Sequence, residues 1–222
     1  MNKKTAHISI DDVTFALQRL SDYNYSNIYE EKLFRYLRLL HHLFGAKISL
    51  YVYANYGEWN IDKVSNHFKS ELAEAKDWLR FGFHAASEDQ KDDNILPRFA
   101  DAYEMTTNSI SNFAGANSIA SILRLHYWFY PNEYLEILKQ NRIHTILIKN
   151  RQTVDTSLSL WKTDIRIESD SMSSILGKII HYDQAQPIVV FTHEWALSRK
   201  IRFKMIMVIL MIRLMGYTFI CD

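Results

Sequence analysis

The chain has 222 residues, of which 48% are hydrophobic and 23% are charged, and its formal net charge is +1. This size predicts one domain over residues 1–222, and the apolar content excludes an intrinsically disordered chain. The near-neutral charge lacks the clustered basic excess that a nucleic-acid partner would require. A single cysteine excludes an internal disulfide and favours a reducing compartment.

Membrane insertion and classical secretion are not expected from the apolar pattern. Residues 1–12 include two lysines but no apolar stretch long enough for a secretory signal. The longest apolar run, Met205 to Ile212, is too short for a bilayer span, which needs about 20 residues. We interpret it as a buried helix face, and we expect a cytoplasmic protein with no membrane span. The oligomeric state is unknown from the sequence.

Hydrophobic periodicity predicts strands that alternate with helices along the whole chain. The predicted strands are Ala6–Ile10, Lys47–Ala54, Phe81–His84, Ser121–Tyr130, Thr145–Lys149, Leu160–Ile167, Ile188–Thr192 and Tyr217–Cys221. The predicted helices are Tyr29–Phe44, Val64–Leu79, Ala100–Phe113, Glu133–Asn141, Met172–Tyr182 and Ser198–Met215, with a loop at Asp89–Asp93. Such alternation is typical of a parallel α/β sheet.

About seven strand–helix units predict a distorted or incomplete (β/α) barrel with about seven parallel strands. A full barrel of eight units typically needs about 250 residues, which is slightly more than this chain has. An open, doubly wound sheet is the structural alternative.

Acidic and imidazole side chains lie at the ends of several predicted strands. Asp11 and Asp12 follow the first strand, His84 ends the third, and His193 follows the most apolar strand. Because the carboxyl ends of parallel strands converge on one face, these residues predict a metal site with an acid/base pair. Individually, Asp12 could cap the next helix, and His84 could be a hydrogen-bonded structural residue. His193 could act as a general acid or pair with Glu194.

Further candidates flank these positions. If residues 85–88 form a helical turn, Glu88 shares a face with His84. Strand alternation places Arg124, His126 and Trp128 on one side, where Arg124 could orient a carboxylate and His126 could touch a substrate. Trp195 could form a wall of the pocket or belong to the core.

The order of these motifs resembles that of the polysaccharide deacetylases, which form carbohydrate esterase family 4 or the NodB-homology group. Ser9-Ile10-Asp11-Asp12 is similar to the family's first motif, Thr-Phe-Asp-Asp. His84-Ala85-Ala86-Ser87-Glu88 stands where the family has His-Ser/Thr-x-x-His, so Glu88 replaces the second histidine. Arg124 matches the start of the third motif, and Phe191-Thr192-His193 is similar to the last one, Leu-x-His.

This resemblance implies a single polysaccharide-deacetylase-like catalytic domain that requires a divalent metal ion, with zinc as the expected ion. The implied roles are general base for Asp11, general acid for His193, catalytic support from Arg124, and metal ligation by Asp12, His84 and Glu88. A carboxylate in place of a histidine would favour harder ions. Asp164, after Trp161, is a weaker counterpart of a further family motif.

The predicted function is the metal-dependent removal of an N- or O-linked acetyl group from a saccharide substrate. His126, Trp128, Glu194 and Trp195 are the predicted substrate-binding residues. One alternative is a metal-independent glycoside hydrolase that uses two carboxylates, for example Asp11 and Glu194. The other is a catalytically inactive barrel that has lost its metal and binds a glycan or a protein.

Overall fold

The computed structural model describes residues 4–88, 96–149, 152–182 and 185–222. The strands are β1 Thr5–Asp11, β2 Ile48–Tyr53, β3 Asn55–Tyr56, β4 Trp59–Asn60, β5 Leu79–Ala85, β6 Ile122–Leu123, β7 Thr145–Lys149, β8 Ser159–Thr163, β9 Ile165–Arg166, β10 Ile188–His193 and β11 Thr218–Ile220. The helices are α1 Phe15–Asp22, α2 Lys32–Phe44, α3 Lys69–Glu74, α4 Leu96–Phe113, α5 Asn132–Gln140, α6 Met172–Ile180 and α7 Arg199–Leu214. The predicted loop at Asp89–Asp93 lies outside the described residues.

Two parallel sheets form the centre of the molecule. The larger sheet has the strand order β5-β2-β1-β10-β9, with β11 also paired to β1, and the smaller sheet has the order β6-β7-β8. β8 packs beside β10, but the hydrogen-bonded ladders among the described residues do not close into a ring. The predicted α/β class with a parallel central sheet is confirmed. A closed barrel is not found, and the predicted number of seven strands is not confirmed.

Strand β1 lies at the centre of the larger sheet and determines where the polar strand ends meet. Residues 6–11 of β1 and all of β10 are buried, as expected of apolar strands covered on both faces. The parallel register between these strands places Asp11 directly opposite His193. The first and last family-like motifs, far apart in the chain, therefore lie side by side.

Strand β5 approaches the smaller sheet closely because residue 82 is a glycine. A Cβ atom at Gly82 would lie 2.6 Å from Cδ2 of Leu123 in β6, which is nearer than side chains can pack. The same close approach brings His84, two residues later, against the backbone that follows β6.

The predicted strand Ser121–Tyr130 is wrong beyond Leu123. After β6 the chain forms a 3₁₀ turn at His126–Trp128, in which Tyr127 and Trp128 have left-handed φ angles of 55° and 54°. The Tyr130 hydroxyl accepts a hydrogen bond from Leu125 N and donates one of 2.6 Å to the Leu147 carbonyl. The alternating polar and aromatic residues of this segment therefore pack in an irregular turn and do not form a paired strand.

The predicted helix Val64–Leu79 is also interrupted. Only α3 is α-helical, and 3₁₀ turns at Asn66–Phe68 and Ala75–Asp77 flank it. The Ser65 hydroxyl accepts a hydrogen bond from His67 N and starts the first turn separately. The apolar spacing was therefore correct for burial but not for a continuous helix.

Helix α7 contains the longest apolar run of the sequence. Its residues Met205, Val208, Ile209 and Ile212 are buried against the sheet, as predicted. The other side of α7 is open to solvent, so the interpretation of this run as a buried face holds for one side only. Across the described part of the chain, no helix has both the length and the apolarity needed to cross a bilayer.

Candidate metal centre and its flanking ion pairs

Three side chains at the carboxyl ends of the sheet converge on one point. The His84 Nε2 atom lies 3.3 Å from Asp12 Oδ1, and the His126 Nδ1 atom lies 3.9 Å from the same oxygen. The two imidazole nitrogens are 3.2 Å apart. Among the described residues, Asp12, His84 and His126 are the group whose ligand atoms are close enough to hold one metal ion.

Local backbone geometry places these side chains. Asp12 follows the last residue of β1 with a left-handed φ of 58°, a conformation that aspartate tolerates better than most residues. The alternative role for Asp12, capping the next helix, is wrong. Thr14 occupies the N-cap position of α1, and another carboxylate binds the backbone amides there. His126 is positioned by the 3₁₀ turn after β6 rather than by a strand.

The hydrogen bonding of His84 and the burial of His126 suit metal binding. The carbonyl oxygen of Arg124 lies 2.6 Å from His84 Nδ1. Because a carbonyl only accepts, Nδ1 carries a proton, and Nε2 is the ring nitrogen that points into the cluster. Burial, with the neighbouring His84, lowers the pKa of His126 to about 4, so this ring is neutral near pH 7.

The carboxylate of the cluster is ionised. Burial alone would raise the pKa of Asp12, but hydrogen bonds and charge interactions with His84, together with Tyr53, hold it well below its usual range. One carboxylate with two imidazole nitrogens is a donor set typical of zinc and similar divalent ions, with positions left for water and substrate. The residues present therefore fit a divalent cation.

Two aromatic residues support the Asp12 carboxylate from outside the cluster. The Tyr53 hydroxyl donates to Asp12 Oδ1 at 2.6 Å and lies 3.1 Å from His126 Nδ1. The Trp195 indole donates to Asp12 Oδ2 at 2.9 Å and stacks on the His193 ring with centroids 5.1 Å apart. Trp195 is 61% exposed, so it forms the rim of the site and does not belong to the core.

Glu88, the predicted third ligand, is not a member of this group. The chain after β5 does not form a helical turn through residues 85–88 that would carry it onto the face of His84. His126, which we predicted to bind substrate, is the third member of the group instead. The group therefore has one more imidazole and one fewer carboxylate than the sequence predicted.

Asp11, the predicted base, is fully buried and forms an ion pair with Arg124. Its other oxygen accepts a hydrogen bond of 3.2 Å from the Ser9 hydroxyl. The Arg124 guanidinium lies between the rings of Trp128 and Phe191, 4.3 and 3.9 Å from their centroids. Burial lowers the pKa of Arg124 to about 9, which still leaves it charged near neutral pH.

His193, the predicted acid, is paired with a carboxylate that the sequence analysis did not identify. The Glu168 Oε1 atom lies 2.5 Å from His193 Nδ1 and also accepts a 2.6 Å bond from Arg166. Burial would raise the pKa of Glu168, but these hydrogen bonds outweigh it and lower the pKa to about 2. With Nδ1 engaged, Nε2 is the His193 nitrogen left for other partners.

A sequence signal for Glu168 and Tyr53 existed. Tyr53 ends the buried strand β2, and Glu168 lies just after β9, where it alternates with the buried residues Ile165 and Ile167. Asp164, the candidate that we considered instead, accepts a hydrogen bond from Tyr182, which is not part of the cluster or its flanking pairs.

Glu194, predicted to bind substrate, instead contacts the start of helix α1. Its two carboxylate oxygens accept hydrogen bonds of 2.8, 2.9 and 2.7 Å from the backbone amides of Thr14, Phe15 and Ala16, at the start of α1. Arg19 contacts it at 3.3 Å. The carboxylate therefore supplies the missing helix cap. A glycoside hydrolase that pairs Asp11 with Glu194 is not supported, because Glu194 is engaged as the cap of α1.

Trp128 borders a cavity of about 1020 Å³ that opens next to the Arg124 side of the site. Its indole nitrogen donates to Thr163 Oγ1 at 3.3 Å, and its ring face covers Arg124. The ring is thus placed beside the site, and its substrate-binding role stays a prediction.

No protein-family model matches the sequence, and no curated protein is similar enough in sequence to count as a match. Solved structures do match. A family 4 carbohydrate esterase from Streptomyces lividans, solved with acetate, aligns with a TM-score of 0.56 at 10% identity, covering 97% of this chain and 91% of the esterase. The peptidoglycan deacetylase PdaC from Bacillus subtilis aligns with a TM-score of 0.53 at 11% identity, covering 98% and 87% of the two chains.

A family 4 pseudoenzyme from Bacillus anthracis is also similar, with a TM-score of 0.59 at 12% identity, over 98% of this chain and 63% of that protein. Sequence identities this low establish the architecture alone. The family resemblance predicted from the motifs is therefore confirmed at the level of the fold. The chain has the fold of the polysaccharide deacetylases of carbohydrate esterase family 4.

Proposed function

We propose that this chain is a metal-dependent hydrolase that removes an acetyl group from a nitrogen or oxygen of a saccharide. The observation that carries the proposal is the Asp12–His84–His126 cluster, set between the Asp11–Arg124 and His193–Glu168 pairs. A divalent ion, with zinc as our choice, would be held by the three cluster side chains. The fold shared with family 4 esterases and deacetylases supports this assignment.

When bound, the ion would polarise the acetyl carbonyl and lower the pKa of a water molecule. Asp11 accepts the proton of the attacking water, and Arg124 keeps the Asp11 carboxylate oriented and charged. His193 donates a proton from Nε2 to the leaving nitrogen or oxygen as its bond to the acetyl carbon breaks. Glu168 accepts the hydrogen bond from His193 Nδ1 and so orients the ring with Nε2 free for this step.

The test is acetate release from N-acetylglucosamine oligomers and from O-acetylated xylan, with zinc added and then removed by a chelator. Asp11→Asn and His193→Ala should each lower the rate by roughly 10²–10⁴-fold, the usual contribution of a general base or acid. Glu88→Gln is the matched control, since it alters a nearby carboxyl outside the cluster, and it should keep wild-type activity. Full activity in both test variants would refute the assigned roles.

A catalytically inactive, glycan-binding barrel is the second candidate. Two observations favour it: the similarity to a family 4 pseudoenzyme, and the Tyr53 hydroxyl, which already bonds the Asp12 oxygen that faces both histidines. Retained binding of oligosaccharides without zinc uptake or acetate release would select this function over the hydrolase.

A further inference from the structure

Three neighbouring helices on one side of the molecule expose apolar side chains. Helix α7 packs against both α2 and α6, so the outer surfaces of the three helices adjoin, and we call this surface the helical face. Its most exposed apolar residues include Phe203 at 65% and Leu214 at 76%. The others are Leu39, Leu43, Met172, Leu176 and Ile180. Soluble monomers rarely leave so many apolar side chains in one place without a binding role.

The outer stripe of α7 follows helical spacing and is separate from its buried side. Phe203 and Leu214 are exposed, and Met207 and Leu210 between them are partly exposed. The core contacts of this helix come from its opposite side. α7 is therefore apolar on two faces, and the outer one has no covering element among the described residues.

The helical face is also strongly basic. Helices α2, α6 and α7 contain no aspartate or glutamate, whereas α2 carries three and α7 carries five lysines or arginines. None of these eight basic residues forms an ion pair with a carboxylate in the part of the chain that the structure describes. Since the whole chain has a net charge of only +1, positive charge is concentrated here.

Apolar and basic groups are interleaved on this face. A groove of about 620 Å³ between α2 and α7 is lined by Tyr36 and Leu39 together with Lys32, Arg35, Arg38 and Arg202. Apolar side chains that can enter acyl chains, next to cations that can contact phosphates, are the features of interfacial membrane helices.

We propose that the helical face binds the surface of an anionic lipid bilayer, with α2, α6 and α7 lying in the interface. A second copy of this chain is a poorer occupant, because a twofold contact through this face would bring basic helices opposite each other. The inference is independent of the activity proposed for the metal site.

The test is sedimentation of the purified protein with vesicles of phosphatidylglycerol mixed into phosphatidylcholine, compared with vesicles of phosphatidylcholine alone. The wild type should sediment with the anionic vesicles only, and added salt should weaken binding. Arg35→Gln with Arg199→Gln should weaken it by roughly twentyfold or more, because each basic residue near an anionic surface contributes about 1 kcal/mol. Phe203→Ser with Leu214→Ser should also reduce binding, through lost insertion.

Matched controls lie elsewhere on the surface. Tyr23, 58% exposed, and Lys69, also exposed, lie outside the helical face, and Tyr23→Ser with Lys69→Gln should bind like the wild type. Wild-type protein that stays in the supernatant with anionic vesicles would overturn the proposal, as would double variants that bind undiminished. Light scattering should show a monomer. A wild-type dimer that Phe203→Ser with Leu214→Ser dissociates would overturn the proposal in favour of a second copy.

Discussion

Replacing Glu194 should destabilise the protein without removing its metal site. The carboxylate accepts three hydrogen bonds of 2.7–2.9 Å from the first amides of α1 and contacts Arg19 at 3.3 Å. A hydrogen bond to a charged group contributes about 1.5–3 kcal/mol, but the contributions of bonds that share one carboxylate group do not add fully. We therefore expect Glu194→Ala to lower the free energy of unfolding by about 3 kcal/mol. Glu194→Gln keeps one acceptor oxygen and should cost about half as much.

The assay is urea or thermal denaturation followed by circular dichroism, with zinc binding measured in parallel. A loss of about 3 kcal/mol corresponds to a fall in Tm of about 6–12 °C for a chain of this size. Glu136→Ala is the matched control, since Glu136 is 64% exposed and pairs with Lys139 on its own helix, and it should cost under about 0.5 kcal/mol. An unchanged Tm for Glu194→Ala, or a selective loss of zinc affinity, would refute the capping role.

The other predictions concern the Asp12–His84–His126 cluster and the His193–Glu168 pair. His126→Ala should lower zinc affinity by roughly tenfold or more, and Glu88→Ala should leave the affinity unchanged. If a zinc titration shows the reverse, Glu88 and not His126 is the ligand, as the sequence predicted. Because the pKa of Glu168 is lowered from 4.5 to about 2, the stability that this group contributes is complete above about pH 5 and is lost as the pH falls toward 2. The gap in unfolding free energy between wild type and Glu168→Gln should narrow over that range, and a constant gap would contradict the pairing with His193.

Much of the parallel architecture could be predicted from the sequence because its strands are short apolar runs. β7 was predicted with the observed bounds, and the predicted ends of β1 and β10 lie within one residue of the observed ends. Strands that are buried on both faces read as continuous apolar runs, so they can be recognised without knowing which strands they pair with. The same reasoning predicted that Asp11 and His193 would share one end of the sheet, and the register confirms it.

The third member of the cluster could not be predicted in the same way. His126 lies in a turn whose left-handed residues, Tyr127 and Trp128, have side chains that sequence rules assign to extended structure. That turn depends on long-range contacts such as the bond from the Tyr130 hydroxyl to β7. Glu88 was predicted as a ligand only because of its spacing after His84. That spacing says nothing about the turn after β6, which tertiary contacts impose.

The proposed activity depends most directly on one cation bound by Asp12, His84 and His126. Equilibrium dialysis against zinc, followed by elemental analysis, measures this binding without assuming any substrate. We predict saturable uptake of a single ion per chain by the wild type and by Glu88→Ala, with marked loss in His84→Ala and in His126→Ala. Equal uptake in all four proteins, or none in the wild type, would contradict the assignment of this cluster as a metal centre.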